Sequence, residues 1–372
     1  MATTNPLAGT STSIKPVSSK TFCIAGISTD VFGLDELSPA SKSLSCLWLL
    51  HPRLQAKEIM ASVAASCIND WNQRPSSERN VGLIAVAFDQ RNHGGRKVHD
   101  LANESWREGN ETHAQDMFSI YHGTALDTSL LIDHLGSYIF HGPDYPSITQ
   151  HMVMGISLGG HSAWQVLFNE PRVTAGIVII GCPDYINLMT DRARLSKLPS
   201  YITTTPPGCS FLGSPSFPST LLNALSKSDP RSILFPSPTS IPSSSSLSTT
   251  ERTRLLPLLT HHLSGKSLLI CSGGADKLVP YRCSQPFLEF LKGATDKEKG
   301  WWREGSCNVD DRVYEGVGHV FSEGMRGDTV AFVREALERG GSSSSSGSGS
   351  GSGGQGKDGG RGCKGRGKKE PL

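Results

Sequence analysis

The densest chemical signal in the sequence is His151-Met-Val-Met-Gly-Ile-Ser-Leu-Gly-Gly-His161. An apolar run leads into Gly155-Ile156-Ser157-Leu158-Gly159, and apolar residues at helical spacing (Ala163, Trp164, Leu167, Phe168) follow it. A serine between two glycines, placed where a strand pattern meets a helix pattern, suits a tight turn that thrusts the hydroxyl outward. Without that context the same letters would describe a glycine-rich turn with an incidental serine. A serine hydroxyl is a poor nucleophile at neutral pH, so it needs an adjacent base that is itself oriented by an acid. Both are available downstream. In Ser267-Leu-Leu-Ile-Cys-Ser-Gly-Gly-Ala-Asp276, a short apolar run ends in small residues and then an aspartate; in Gly316-Val-Gly-His319, a histidine follows the last strand-like run. Asp184, in Gly-Cys-Pro-Asp184-Tyr, competes with Asp276 for the role of acid.

Acyl transfer also needs backbone N–H groups aimed at the developing oxyanion. Leu158, next after the serine, is one candidate. The second is expected from His51-Pro52-Arg53-Leu54; Pro52 has no N–H, which leaves Arg53, although this loop could equally just open the next helix. The polar stretch from Asp89 to Arg96 reads as a loop held by hydrogen bonds from Asp89 and Arg91 to backbone. No His/Cys/Asp/Glu set at ligand spacing accompanies it, and no phosphate-binding glycine loop occurs, so neither a metal nor a nucleotide cofactor is expected. Asp310 and Asp311 read as solvent-facing.

The elements that must position these residues alternate. Strand-like runs cover Thr21–Ile27, Ser43–Leu50, Val81–Phe88, Gln150–Ile156, Ala175–Gly181, Ser267–Ser272 and Asn308–Tyr314. Between them lie helical stripes: Ile59, Val63, Cys67 and Trp71; then Phe118, Tyr121, Ala125, Ile132 and Leu135, weakened by Gly123; and finally Val330, Val333 and Leu337. Strand and helix in alternation predict an α/β fold with a mainly parallel sheet covered on both faces. Ser157, Asp276 and His319 would each lie just past the carboxyl end of a strand, where such sheets place their ligands.

Composition sets the outer limits. The chain has 372 residues, 37% of them hydrophobic, enough for a sizeable core, and no apolar run approaches membrane-spanning length. The polar N-terminus has no signal-like apolar region. Nine scattered cysteines, odd in number, support neither a disulfide framework nor a zinc site, and a cytoplasmic location is expected. Residues 340–372 carry six Lys/Arg against two Asp/Glu, so the overall charge of +2 masks a body with no basic excess, and no nucleic-acid partner is expected for it. That Gly/Ser/Lys-rich tail reads as disordered. Residues 199–250 hold nine of the 22 prolines and a serine run, which reads as an irregular insertion. The expected organisation is a flexible N-terminus (1–19), a core in two parts (20–183 and 266–339), an insertion (184–265) and the tail (340–372).

On His51-Pro52, Asp89-Gln-Arg-Asn-His-Gly94, Gly155-Ile-Ser-Leu-Gly159, Gly274-Ala-Asp276 and Gly316-Val-Gly-His319, the chain resembles the α/β-hydrolase superfamily over residues 20–335. The resemblance implies a mostly parallel eight-stranded sheet and a cap after the sixth strand, here matched in position by residues 184–265. It implies a serine hydrolase of the esterase/lipase kind, acting on a small acyl substrate through Ser157, His319 and Asp276 without a cofactor. A peptidase or thioesterase with the same residues, or a non-catalytic binding protein that keeps the fold, are the alternatives. The sequence departs from one lipase/esterase branch in lacking its multi-glycine oxyanion motif, and the Pro/Ser-rich cap gives no guide to substrate or oligomeric state.

Overall fold

The computed structural model describes residues 5–8, 14–39, 41–75, 79, 81–142, 145–237 and 240–343. Eight strands form one sheet: β1 (Ser19–Ile24), β2 (Ile27–Phe32), β3 (Ser43–Leu50), β4 (Val81–Phe88), β5 (Ser147–Ile156), β6 (Val173–Ile179), β7 (Ser267–Gly273) and β8 (Asn308–Tyr314). Their order across the sheet is β1-β2-β4-β3-β5-β6-β7-β8. The pairs β1–β2 and β2–β4 are antiparallel, and every pair from β4 to β8 is parallel. A mostly parallel sheet was expected, and the architecture agrees.

Side chains alternate across a strand, so a strand covered on both faces must be apolar nearly throughout. In β3, Cys46, Trp48 and Leu50 enter one cluster while Leu47 and Leu49 enter the other. The first cluster is completed by Ala125, Leu131 and Ile132 of α2 (His113–Ile139), Trp164 and Phe168 of α3 (Leu158–Asn169), and Phe287 and Leu291 of a later helix over Tyr281–Thr295. The second is closed by Val63, Cys67 and Ile68 of α1 (Ala61–Asn72) and by Met325, Val333 and Leu337 of the last helix, Glu323–Ser343. A third cluster joins Phe118 and Tyr121 of α2 to Leu158 and to residues of the segment between β6 and β7.

Several details differ from the sequence-based expectations. The first run is two strands, not one: Ala25 (φ 51°) and Gly26 (φ 78°) make a two-residue turn that pairs Ile24 with Ile27. The second strand breaks the apolar pattern because its Thr29 and Asp30 are polar yet buried, with Asp30 bound to Lys57 Nζ at 2.5 Å. The 184–265 segment carries helices α4 (Tyr185–Leu195), α5 (Pro199–Ile202), α6 (Ser219–Ser228), α7 (Pro230–Leu234) and α8 (Thr249–Leu263). Proline at the first helical position opens α5 and α7, where its missing N–H costs nothing. Asp311 is not solvent-facing: it lies in β8 with its side chain buried, bound to Lys292 Nζ at 2.5 Å and accepting from Tyr281 Oη at 2.8 Å. The helix over Tyr281–Thr295 is α9 and the last is α10, which continues past Gly340 to Ser343. The remainder of the expected tail, and residues 1–4 and 9–13 of the expected flexible N-terminus, lie outside the described residues. Among the described residues no helix is long and apolar enough to cross a membrane.

Candidate active site

β5 ends at Ile156 and α3 begins at Leu158, so Ser157 alone makes the turn, with φ 57° and ψ −113°. A non-glycine residue held there stores about 1–3 kcal/mol of backbone strain, sustained only because its surroundings leave no alternative. The glycines explain why none exists. A Cβ on Gly155 would fall inside the Gly159 carbonyl, one on Gly159 would lie 2.8 Å from His51 O, and one on Gly160 would lie 2.9 Å from Ile179 O. Their absence lets the turn sink against the ends of β3 and β6. The Ser157 N–H donates to Ile179 O at 2.9 Å, which fixes the turn further.

Two other strand ends converge on it. Gly273, at the end of β7, has no Cβ to collide with Val317 O or Gly318 O, each within 2.6 Å of where one would stand. The loops after β7 and β8 are then tied by Gly274 N–H to Tyr314 O (2.8 Å) and Ala275 N–H to Val317 O (2.9 Å). This juxtaposition sets Asp276 against His319. Asp276 is buried; its Oδ1 accepts from the N–H groups of Leu278 (2.8 Å) and Val279 (3.0 Å), leaving Oδ2 for His319 Nδ1 at 2.7 Å. The other ring nitrogen, Nε2, lies 2.8 Å from Ser157 Oγ. With Nδ1–H donating to the carboxylate, Nε2 is the acceptor for the serine hydroxyl.

Of the two acids left open by the sequence, the structure brings Asp276 to His319. Asp184 starts α4, where its Oδ1 accepts from Asn187 N–H at 2.9 Å; burial raises its pKa to about 6. Leu158 is the first residue of α3, so its N–H has no acceptor within the helix and sits at the positive end of the helix dipole. The loop carrying Arg53 follows β3 directly, and the close approach of Gly159 holds its His51 carbonyl against the turn. The Arg53 side chain donates to Asn103 O at 2.7 Å.

The sequence reading gives Gln90 and Ser162 no role, yet both brace this arrangement. Gln90 donates through its side chain to His51 O, donates through its backbone to His51 Nε2 (3.0 Å), and accepts from Ser162 Oγ of α3 (3.1 Å). One glutamine thus joins the loops after β3 and β4 to the helix behind the serine. Burial lowers the His51 pKa to about 4, so the ring is neutral, donating from Nδ1 to Pro52 O. Asp89 does bind backbone, at Lys57 N–H and Gly95 N–H. Arg91 instead pairs with a carboxylate, Asp127 of α2, at 2.9 Å. Gly123 explains how: a Cβ there would stand 2.6 Å from Arg91 Nε. Among the described residues, no group of three or more His, Cys, Asp or Glu side chains is placed to hold a metal.

No protein-family model and no curated protein matches the chain. Among solved structures, TT1662 from Thermus thermophilus is similar over 87% of this chain and 99% of its own, with 18% identity and a TM-score of 0.51. The chain has the α/β-hydrolase fold. Lower-scoring similarities are to the esterase Pf2001 from Pyrococcus furiosus (15% identity, 86% of this chain and 93% of that one, TM-score 0.43). Another is to acetyl xylan esterase 1 from Thermoanaerobacterium sp. JW/SL YS485 (14% identity, 89% and 87%, TM-score 0.45). In this α/β-hydrolase fold the serine follows β5, the aspartate β7 and the histidine β8, three strands side by side or nearly so in the sheet.

Proposed function

We propose that the protein is a serine hydrolase that cleaves carboxylic esters through an acyl-enzyme on Ser157. The observation that carries this reading is the continuous chain of two hydrogen bonds, Ser157 Oγ to His319 Nε2 at 2.8 Å and His319 Nδ1 to Asp276 Oδ2 at 2.7 Å. In the first step Ser157 Oγ bonds to the acyl carbon while its proton passes to His319 Nε2. Asp276 holds the ring in the tautomer that can accept and stabilises the imidazolium that results. The negative charge on the former carbonyl oxygen is met by the N–H groups of Leu158 and Arg53. Collapse expels the alcohol, which takes the proton from His319. Water then repeats the sequence against the acyl-enzyme, releasing the acid and restoring the serine. Each group returns to its starting protonation state, so the cycle requires no metal and no organic cofactor.

The test is covalent. A fluorophosphonate probe is expected to label the wild-type protein once per chain, and Ser157→Ala to abolish both the label and hydrolysis of p-nitrophenyl acetate. Labelling that persists in Ser157→Ala would remove the assignment.

A further inference from the structure

Beside the loop that carries Asp276 is a cavity of about 110 Å³ whose lining includes four cationic side chains, Arg53, Arg107, Arg192 and Lys277, together with Trp106 and His113. Among the described residues none of the four forms an ion pair with a carboxylate. Arg53 donates to Asn103 O, Arg107 to Leu195 O, and Arg192 to Leu278 O at 3.2 Å and Met117 Sδ at 2.9 Å. The Nε of Arg192 is buried with no hydrogen-bond partner. His113 adds no charge of its own. Its Nδ1 donates to Glu104 O at 2.8 Å, its Nε2 accepts from Arg192 Nη1 at 3.4 Å, and burial holds its pKa near 3. Glu104 and Glu108 attract Arg53 without pairing with it.

Arg107 and Lys277 are exposed, whereas burial disfavours the charge on Arg53 and Arg192, a cost that a bound anion would offset. The walls beside them, Trp106 and Leu278, are apolar, which lowers the local dielectric and strengthens the attraction for such an anion. The cavity lining shares two loops with the candidate active site. Lys277 and Leu278 directly follow Asp276, Leu278 N–H donates to Asp276 Oδ1, and Arg53 belongs to the loop beside the Ser157 turn. We infer that this cavity is an anion subsite receiving a free carboxylate carried by the substrate, so that the preferred esters are those bearing a second, ionised acid group. A carboxylate offers two oxygens in one plane, the shape that guanidinium groups engage best. The word substrate rests on the hydrolase reading; the binding of the anion does not, and is measured without turnover.

Glutarate and the neutral glutaramide, titrated calorimetrically into the full chain, test it. Glutarate is expected to bind wild type and Ser157→Ala alike, and glutaramide at least about tenfold more weakly. Arg192→Gln should weaken glutarate about tenfold or more, with circular dichroism confirming the fold. Lys277 is exposed, so Lys277→Gln keeps the fold and should weaken glutarate about threefold, deciding the matter if Arg192→Gln does not fold. Equal affinity for glutarate and glutaramide, unchanged affinity in the folded variants, or tighter binding of inorganic phosphate than of glutarate would each overturn the assignment. If glutarate binds but the fluorophosphonate does not label Ser157, the subsite stands and the hydrolase reading falls.

Discussion

The two oxygens of Asp276 have separate tasks. Oδ1 takes two backbone N–H groups, which lock the carboxyl in place, and Oδ2 is thereby aimed at His319 Nδ1. An amide in the same position can keep one of these arrangements but not both. It would also present an N–H where the imidazole needs an acceptor, forcing the tautomer that cannot take the serine proton. Asp276→Asn is therefore expected to lower kcat on p-nitrophenyl acetate by roughly 10³–10⁴-fold with little change in KM. Asp184 provides the matched control. It is a helix cap remote from His319 in its bonding, and Asp184→Asn keeps an oxygen for the Asn187 N–H, so kcat should stay within about twofold. A loss in Asp184→Asn as large as in Asp276→Asn would mean that the acid had been assigned to the wrong loop.

At the scale of elements, the site depends on how closely neighbouring segments can approach, and glycines set that distance. Helix α2 contains two glycines with opposite roles. Gly136 has nothing within 4 Å of where a Cβ would stand, so it only weakens the helix; Gly136→Ala should raise stability by about 0.5–1 kcal/mol. Gly123 leaves room for the Arg91 side chain, whose pair with Asp127 fastens the loop after β4 to α2. Gly123→Ala would push that guanidinium aside, and here the gain in helix propensity is outweighed. The expected result is a net loss of about 1–2 kcal/mol, because Asp127 is buried and loses one of its two arginine partners. Urea denaturation of the two variants, side by side, separates them: the midpoints should move in opposite directions.

For the molecule as a whole, buried histidines tie stability to pH. His51, His113, His151 and His161 are all buried, and burial is the first cause of each lowered pKa, to about 4, 3, 4 and 3. The unfolded chain takes up protons near pH 6.5, whereas the folded chain resists until well below pH 5. Their stabilising contribution is thus complete above pH 6.5 and is lost as the pH falls toward 4. Burial raises the pKa of Asp184 and Asp229 to about 6 and 7, an opposing effect that favours the folded state as pH falls. One histidine can be isolated from the sum. His151 Nδ1 accepts from Trp48 Nε1 at 3.2 Å, a bond that protonation there would break. Its contribution to acid sensitivity is on the order of 3 kcal/mol between pH 7 and 4. His151→Gln should therefore show a shallower fall in melting temperature over that range than wild type. Parallel curves would show that His151 is not charged more reluctantly in the folded state.

Much of this was already legible in the chain. Alternating apolar runs and helical stripes specify a sheet covered on both faces, because only strands buried on two sides can be apolar throughout. The glycines around Ser157 mark the turn, since no residue with a Cβ fits at Gly155 or Gly159. What the chain could not show is distance between segments remote in sequence. Asp276 and Asp184 both follow strands, and only the loop contact across Gly273 decides that Asp276 is the one beside His319. The second strand was hidden by a buried Asp30 whose partner, Lys57, is 27 residues away. The basic cavity drew its cations from four separate segments, none of them a charge run. Periodicity records which face of an element is buried; it holds no record of what the other face meets, and that meeting is where both the candidate triad and the anion subsite arise.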